Sequence, residues 1–149
     1  MAGEQLADGK FLIKDLSVQC DGTPTSFVRD PIMHRKFMRR FHLLTGNNPE
    51  RFNYLGEWHS HPSFLALPSA PDIRTMQAEI EDEEQTALFL VLLIVKLGRN
   101  GGLVGSAHAF RQKHLPVRVN LKPAIGANIR EESPANAPGT MTAWLRFIG

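Results

Sequence analysis

A chain of 149 residues, 42% hydrophobic and 21% charged, has the size and composition of one soluble globular domain. A formal net charge of +2 is too small to make nucleic acid or an anionic membrane the main partner, and the most apolar stretch, Ala87 to Leu97, is shorter than the roughly 20 residues a membrane helix needs. Cys20 is the only cysteine, which excludes an intrachain disulfide; with no basic and then apolar leader at the N-terminus, the expected location is cytoplasmic.

Phe11 to Val18 reads as a strand, with the turn residues Asp8-Gly9 and Asp21-Gly22 on either side. Cys20 borders the second turn and has no neighbour that would lower its pKa, so it is not read as a nucleophile. A short extended piece, Thr25 to Val28, precedes Asp30-Pro31, an N-cap followed by proline at the first helical position. Met33, Phe37, Phe41 and Leu44 then mark one apolar helical face, and Gly46 with Asn47-Asn48-Pro49 stops the helix. The basic pairs Arg35-Lys36 and Arg39-Arg40 read as its solvated face.

Phe52 to His61 reads as a strand ending at Pro62, and Ser63 to Pro68 as a loop with the apolar residues Phe64, Leu65 and Leu67. That loop either contacts a substrate or packs beneath the next helix. Ser69 is an N-cap with Asp72 three positions on, a capping-box arrangement, and Ile73, Met76 and Ile80 carry the helix onward. The acidic cluster Glu79 to Glu84 disfavours a helix C-terminus, so the helix is expected to end before the cluster does. Thr86 to Leu97 is read as a buried strand, Gly98 to Gly102 as a hairpin turn, and Leu103 to Arg111 and Leu115 to Leu121 as further antiparallel strands. From Pro123 the chain is rich in Pro, Ala, Gly and Asn and is expected to be irregular. Trp144 to Ile148 is apolar enough to dock on the domain or on a partner. The organisation expected is a domain over 1–122 and a tail over 123–149.

The chemistry concentrates in Gly56-Glu57-Trp58-His59-Ser60-His61-Pro62 and Pro68-Ser69-Ala70-Pro71-Asp72. Residues two apart on a strand share a face, so His59 and His61 present both imidazoles to one side. Asp72, in the first turn of the next helix, can fold back over that strand end. Two nitrogens and one carboxylate form a donor set suited to zinc, and three protein ligands leave a fourth position open. A His-x-His pair alone is weak, and Ser69 and Asp72 alone are ordinary helix-start residues. The joint pattern, with Gly56, Pro62 and Pro68 in place, is much rarer than its parts.

This cassette resembles the motif of the JAMM (MPN-plus, JAB) metalloproteases in their prokaryotic form, and the order of elements from Phe11 to Leu121 is similar too. The resemblance implies an α+β, three-layer fold: a mixed, mostly antiparallel sheet flanked by helices, related to the cytidine-deaminase-like fold. It implies His59, His61 and Asp72 as ligands of Zn2+ and Ser69 as the hydroxyl that stabilises the oxyanion. It also implies hydrolysis of an amide or isopeptide bond after the Gly-Gly-type tail of a ubiquitin-like or sulfur-carrier protein.

The family also uses an upstream glutamate as general base, within a Glu-x-Gly-Gly-like segment that these 149 residues lack. The sequence reading is that the chain starts after that segment; Glu4 is the alternative base. Glu57 shares the parity of His59 and His61 but lies one strand step, about 6.5–7 Å, from them, so it is read as structural. Three functions stay open: an active zinc isopeptidase, a zinc-binding module that holds a modifier tail without cutting it, and a scaffold that docks through its C-terminal tail.

Overall fold

The computed structural model describes residues 1–18, 22–23, 26–27, 30–99, 101–122, 129–131 and 140–147; Cys20 lies outside them. In chain order the elements are β1 (Ala2–Ala7), β2 (Lys10–Asp15), β3 (Gly22–Thr23), β4 (Ser26–Phe27), α1 (Pro31–Leu44), β5 (Phe52–Tyr54), β6 (Gly56–Ser60), α2 (Ala70–Glu81), β7 (Leu90–Leu97), β8 (Leu103–Phe110), β9 (Val117–Lys122), β10 (Ile129–Glu131) and β11 (Thr140–Phe147). This is the mixed α+β fold expected. No helix among the described residues is long and apolar enough to cross a membrane.

The main sheet runs β5-β1-β2-β11-β9-β8-β7-β6, with β10 beside β8, and β3 and β4 form a separate pair. β6 and β7 are parallel, whereas β7, β8 and β9 form an antiparallel meander. Because only Leu55 separates β5 from β6, the path returns to its start at that joint. Leu55 donates its N–H to Met1 O, and Leu55 O accepts from Val91 N, so β1 and β7 flank the same residue.

The inner face holds Met1, Ile13, Leu55, Val91, Leu93, Ala107, Val119 and Leu121, with Trp58 packed against them. A second core lies between the outer face and α2. Met76 and Ile80 of the helix meet Leu90, Leu92, Ile94 and Phe110 of the sheet, and Tyr54 packs at its border. A third, smaller group joins α1 to the sheet through Phe37, Phe41 and Ala2. Residues of β7 enter the first two cores by simple alternation, since a strand buried on both faces reads as a continuous apolar run.

Several expectations shift. Of the four residues expected to form the apolar face of α1, Phe37 and Phe41 are buried, but Met33 and Leu44, near the two helix ends, are exposed. The expected strand over Phe52 to His61 is broken at Leu55. β1 appears where no strand was read. The tail expected to be irregular contains two strands, and β11 lies parallel to β2 and β9, between them. The Trp144–Phe147 stretch therefore pairs within the chain's own sheet; Ile148 is not described. The acidic run ends α2 as expected, with Asp82 as C-cap.

Candidate metal centre

The end of β6 lies beside the first turn of α2, and the chain arranges this through one irregular step. Leu55 and Trp58 both face the inner core although they are three residues apart. Tyr54 and Glu57, also three apart, meet on the outer side, where the Tyr54 hydroxyl donates to Glu57 Oε1. Strict alternation would place each of these pairs on opposite faces. The step occurs at Gly56, whose φ is +135°. A Cβ there would lie 2.1 Å from Val91 O and 2.6 Å from Val91 N, so glycine is required both for the dihedral and for the close approach to β7. The extra step resets the parity, since a one-residue slip moves every later side chain to the other face. His59 and His61 consequently point out toward α2, and Trp58 points in, its Nε1 donating to Ser17 O at 2.9 Å.

The strand ladder continues to the second histidine, where His61 N donates to Val95 O at 2.8 Å. The loop after it is pinned from within: Ala66 is fully buried and its carbonyl accepts from Ser106 Oγ at 2.6 Å. Phe64 and Leu65 stay on the surface, 74% and 60% exposed, so neither packs beneath the helix. The Leu65 carbonyl lies 3.1 Å from His61 Nδ1. A proton on Nδ1 would satisfy that contact and leave the lone pair of Nε2 for a metal ion, as hydrogen-bonded metal-binding histidines generally do.

Ser69 caps α2 with a full capping box: Asp72 N donates to Ser69 Oγ at 3.3 Å, and Ser69 N donates to Asp72 Oδ2 at 2.7 Å. The Ser69 hydroxyl also donates to Oδ2, at 2.6 Å. Local capping thus aims the carboxylate across the first turn toward the strand end. Asp72 Oδ1 lies 3.3 Å from His59 Nδ1, and Oδ2 lies 3.7 Å from His61 Nε2. Burial works against ionisation of Asp72, but the Ser69 hydroxyl and amide bonds, with the two imidazoles nearby, outweigh it. The carboxyl therefore sits below its usual pKa.

One donor atom from each of His59, His61 and Asp72 lies within 4.8 Å of the others. This is the one such His/Cys/Asp/Glu group among the described residues, and all three members are partly exposed. The three residues singled out as ligands are therefore brought together. The two nitrogens and one carboxylate, with His61 held through its second nitrogen, fit a divalent ion such as zinc.

Glu4 is placed elsewhere. It lies on β1 opposite Phe52, with Oε1 accepting from Arg51 Nε at 2.8 Å and from Arg51 Nη2, and Oε2 lying 3.9 Å from Lys14 Nζ. His59 lies seven positions along from Phe52, about 23 Å in extended chain. Glu57 is held by Tyr54 and is likewise outside the cluster. Ser69 is beside the cluster with its hydroxyl proton on Asp72. Sequence reasoning missed Tyr54 and the Leu65 carbonyl; only the glycine inside an apparent strand, at 56, hinted at the irregular step.

Residues 1–111 match the family model of the prokaryotic homologs of the JAB domain. No curated protein and no solved structure matches the chain significantly.

Proposed function

The chain belongs to the prokaryotic JAB-domain family, and from that premise we propose that it is a zinc-dependent metallopeptidase or isopeptidase that cleaves the amide bond after the Gly-Gly-type tail of a ubiquitin-like or sulfur-carrier protein. The observation that carries the reading is the convergence of His59, His61 and Asp72 on one point. These three residues would hold the ion. Zinc bound there would act as a Lewis acid on the scissile carbonyl and supply an acidified water.

The protein's own groups do the rest. The Leu65 carbonyl fixes the His61 ring, and the α2 cap fixes Asp72. Ser69 Oγ–H stands at the edge of the cluster, where it can turn from Asp72 to the oxyanion that develops on the substrate. The exposed Phe64 and Leu65 belong to the loop whose Leu65 carbonyl contacts His61, where they could meet an extended tail. Cytoplasmic location and a reducing compartment accompany this reading.

A second reading rests on the carboxylates. Glu4 is committed to Arg51 and Glu57 to Tyr54, so neither is placed to accept a proton beside the cluster. A module of this kind would bind zinc and a modifier tail with little turnover. Incubating the protein with zinc and a panel of Gly-Gly-tailed fusions separates the two. Cleavage that disappears in His59→Ala supports the peptidase, whereas one equivalent of zinc with tail binding and negligible turnover supports the binding module. No zinc uptake and no tail binding would remove both.

A further inference from the structure

The irregular step at Gly56 explains how the histidines come to face α2, and it raises the question of what holds the strand in that register. Glycine permits the conformation but does not enforce it, because a residue without a side chain also populates many others. The backbone at the joint is held by Leu55, which donates to Met1 O and accepts from Val91 N, and by Gly56 O, which accepts from the Met1 amino group at 2.6 Å; these bonds fix where the joint sits but engage no side chain of the step. β5 has three residues, β6 has five, and β1 runs beside β5 while β7 runs beside β6.

Among the described residues, a side-chain contact spans the step on the outer face. The Tyr54 hydroxyl, on the last residue of β5, donates to Glu57 Oε1, on the second residue of β6. In a regular strand these two positions point to opposite sides of the sheet, so the bond exists only in the shifted register. Tyr54 is itself braced. Its ring packs against the second core, and the His34 ring of α1 meets it edge-on, with centroids 4.8 Å apart. Helix, strand and step are thereby tied together two residues before the first histidine.

We propose that Tyr54 and Glu57 are positioning residues for the metal centre: a clasp across Gly56 that selects the register in which His59 and His61 face Asp72. The proposal rests on the metal reading for its consequence, but the clasp itself is a property of the apo protein. A hydrogen bond that forms in one register and is impossible in the other biases the equilibrium between them by its net strength over the same groups' bonds to water, and pre-orders both ligands before any ion arrives. A charged acceptor makes it one of the stronger kinds.

The test compares Tyr54→Phe, Glu57→Leu and Glu57→Gln with the parent chain. Zinc affinity is read by competition with a chromophoric chelator, and unfolding of the apo protein by circular dichroism. Tyr54→Phe and Glu57→Leu are expected to weaken zinc binding by about 10-fold to 100-fold, the range for removing groups that orient metal ligands. Glu57→Gln keeps an oxygen acceptor for the phenol and is expected to recover most of the affinity. Unchanged affinity in Tyr54→Phe would overturn the proposal, as would losses that track apo stability alone and are not rescued by Gln. If the parent chain binds no zinc, the metal reading fails and the clasp is judged on the apo protein. Cross-peaks from the His59 ring to α2 protons, seen in the parent and weakened in Tyr54→Phe, would uphold it; the same cross-peaks in both would reject it.

Discussion

Ser69 and Asp72 hold one another twice over: the serine hydroxyl both receives the Asp72 N–H and donates to the Asp72 carboxylate. A helix cap and a metal ligand are therefore the same pair of residues, and the geometry of the site is inherited from an ordinary rule of helix starts. The functional cost of such an economy is that Ser69 cannot be changed without touching both roles.

Ser69→Ala is accordingly expected to lose about 1 kcal/mol of stability from the cap. Its turnover on a cleavable fusion is expected to fall by about 10²-fold, the usual effect of removing an oxyanion donor. Zinc stoichiometry should persist, because the three ligands remain. Chemical denaturation, steady-state kinetics and metal analysis on one preparation check the three parts together.

Gly56→Ala should be among the most damaging single substitutions. The added Cβ would overlap the Val91 backbone, and the φ of +135° is strained for any L side chain. A loss of about 3 kcal/mol or more is expected from strain and overlap combined. Because the substitution acts on the register, zinc affinity should drop even in the fraction that folds. A variant with parental stability would show that the step at Gly56 is not needed.

Glu4→Gln distinguishes an ion-pair residue from a base. Glu4 is 7% exposed and bound by Arg51, whose side chain is largely exposed, so solvent screening reduces the pair's worth. A destabilisation of about 1–2 kcal/mol is expected, less than for a fully buried pair. Zinc affinity, and the rate per folded molecule, should stay at the parental level. A rate loss without a stability loss would return Glu4 to the role of general base.

His108 makes stability depend on pH. Burial, and then the charge of Arg118 beside it, push its pKa from 6.5 down to about 4, and its Nδ1 has no hydrogen-bond partner among the described residues. The unfolded chain therefore takes up a proton below about pH 6.5, whereas the folded chain resists until about pH 4. Folding stability should fall as pH drops through that window, and the His108 contribution should level off below it. In His108→Leu the slope between pH 6.5 and 4 should be shallower, which denaturant midpoints across the range would show.

How much of this was legible in the sequence follows from how local each feature is. The His59, His61, Ser69 and Asp72 cassette could be read because strand parity and the capping box are short-range rules. α1 was legible from Asp30-Pro31 and from Phe37 and Phe41, whose spacing matches one helical face. β1 was not, since Gly3, Glu4 and Gln5 show no alternation and the strand is stabilised by partners at Phe52 to Tyr54, far along the chain. β11 was hidden for a related reason: its neighbours β2 and β9 supply the pairing, while the preceding residues have a loop-like composition. The register change at Gly56 was only hinted at by the glycine itself, because it depends on Val91, which approaches only once β7 is in place. The setting of Glu4 was hidden on the same ground, as Arg51 is its neighbour in space and not in sequence.

The central claim is that His59, His61 and Asp72 form one metal centre, and the amount of zinc held by the purified protein tests it most directly. Dialysis against zinc followed by elemental analysis should give one equivalent for the parent chain. In His59→Ala, His61→Ala and Asp72→Ala, binding should fall well below one equivalent under the same conditions, with the fold retained by circular dichroism. A full equivalent in all three variants, or none in the parent, would contradict it.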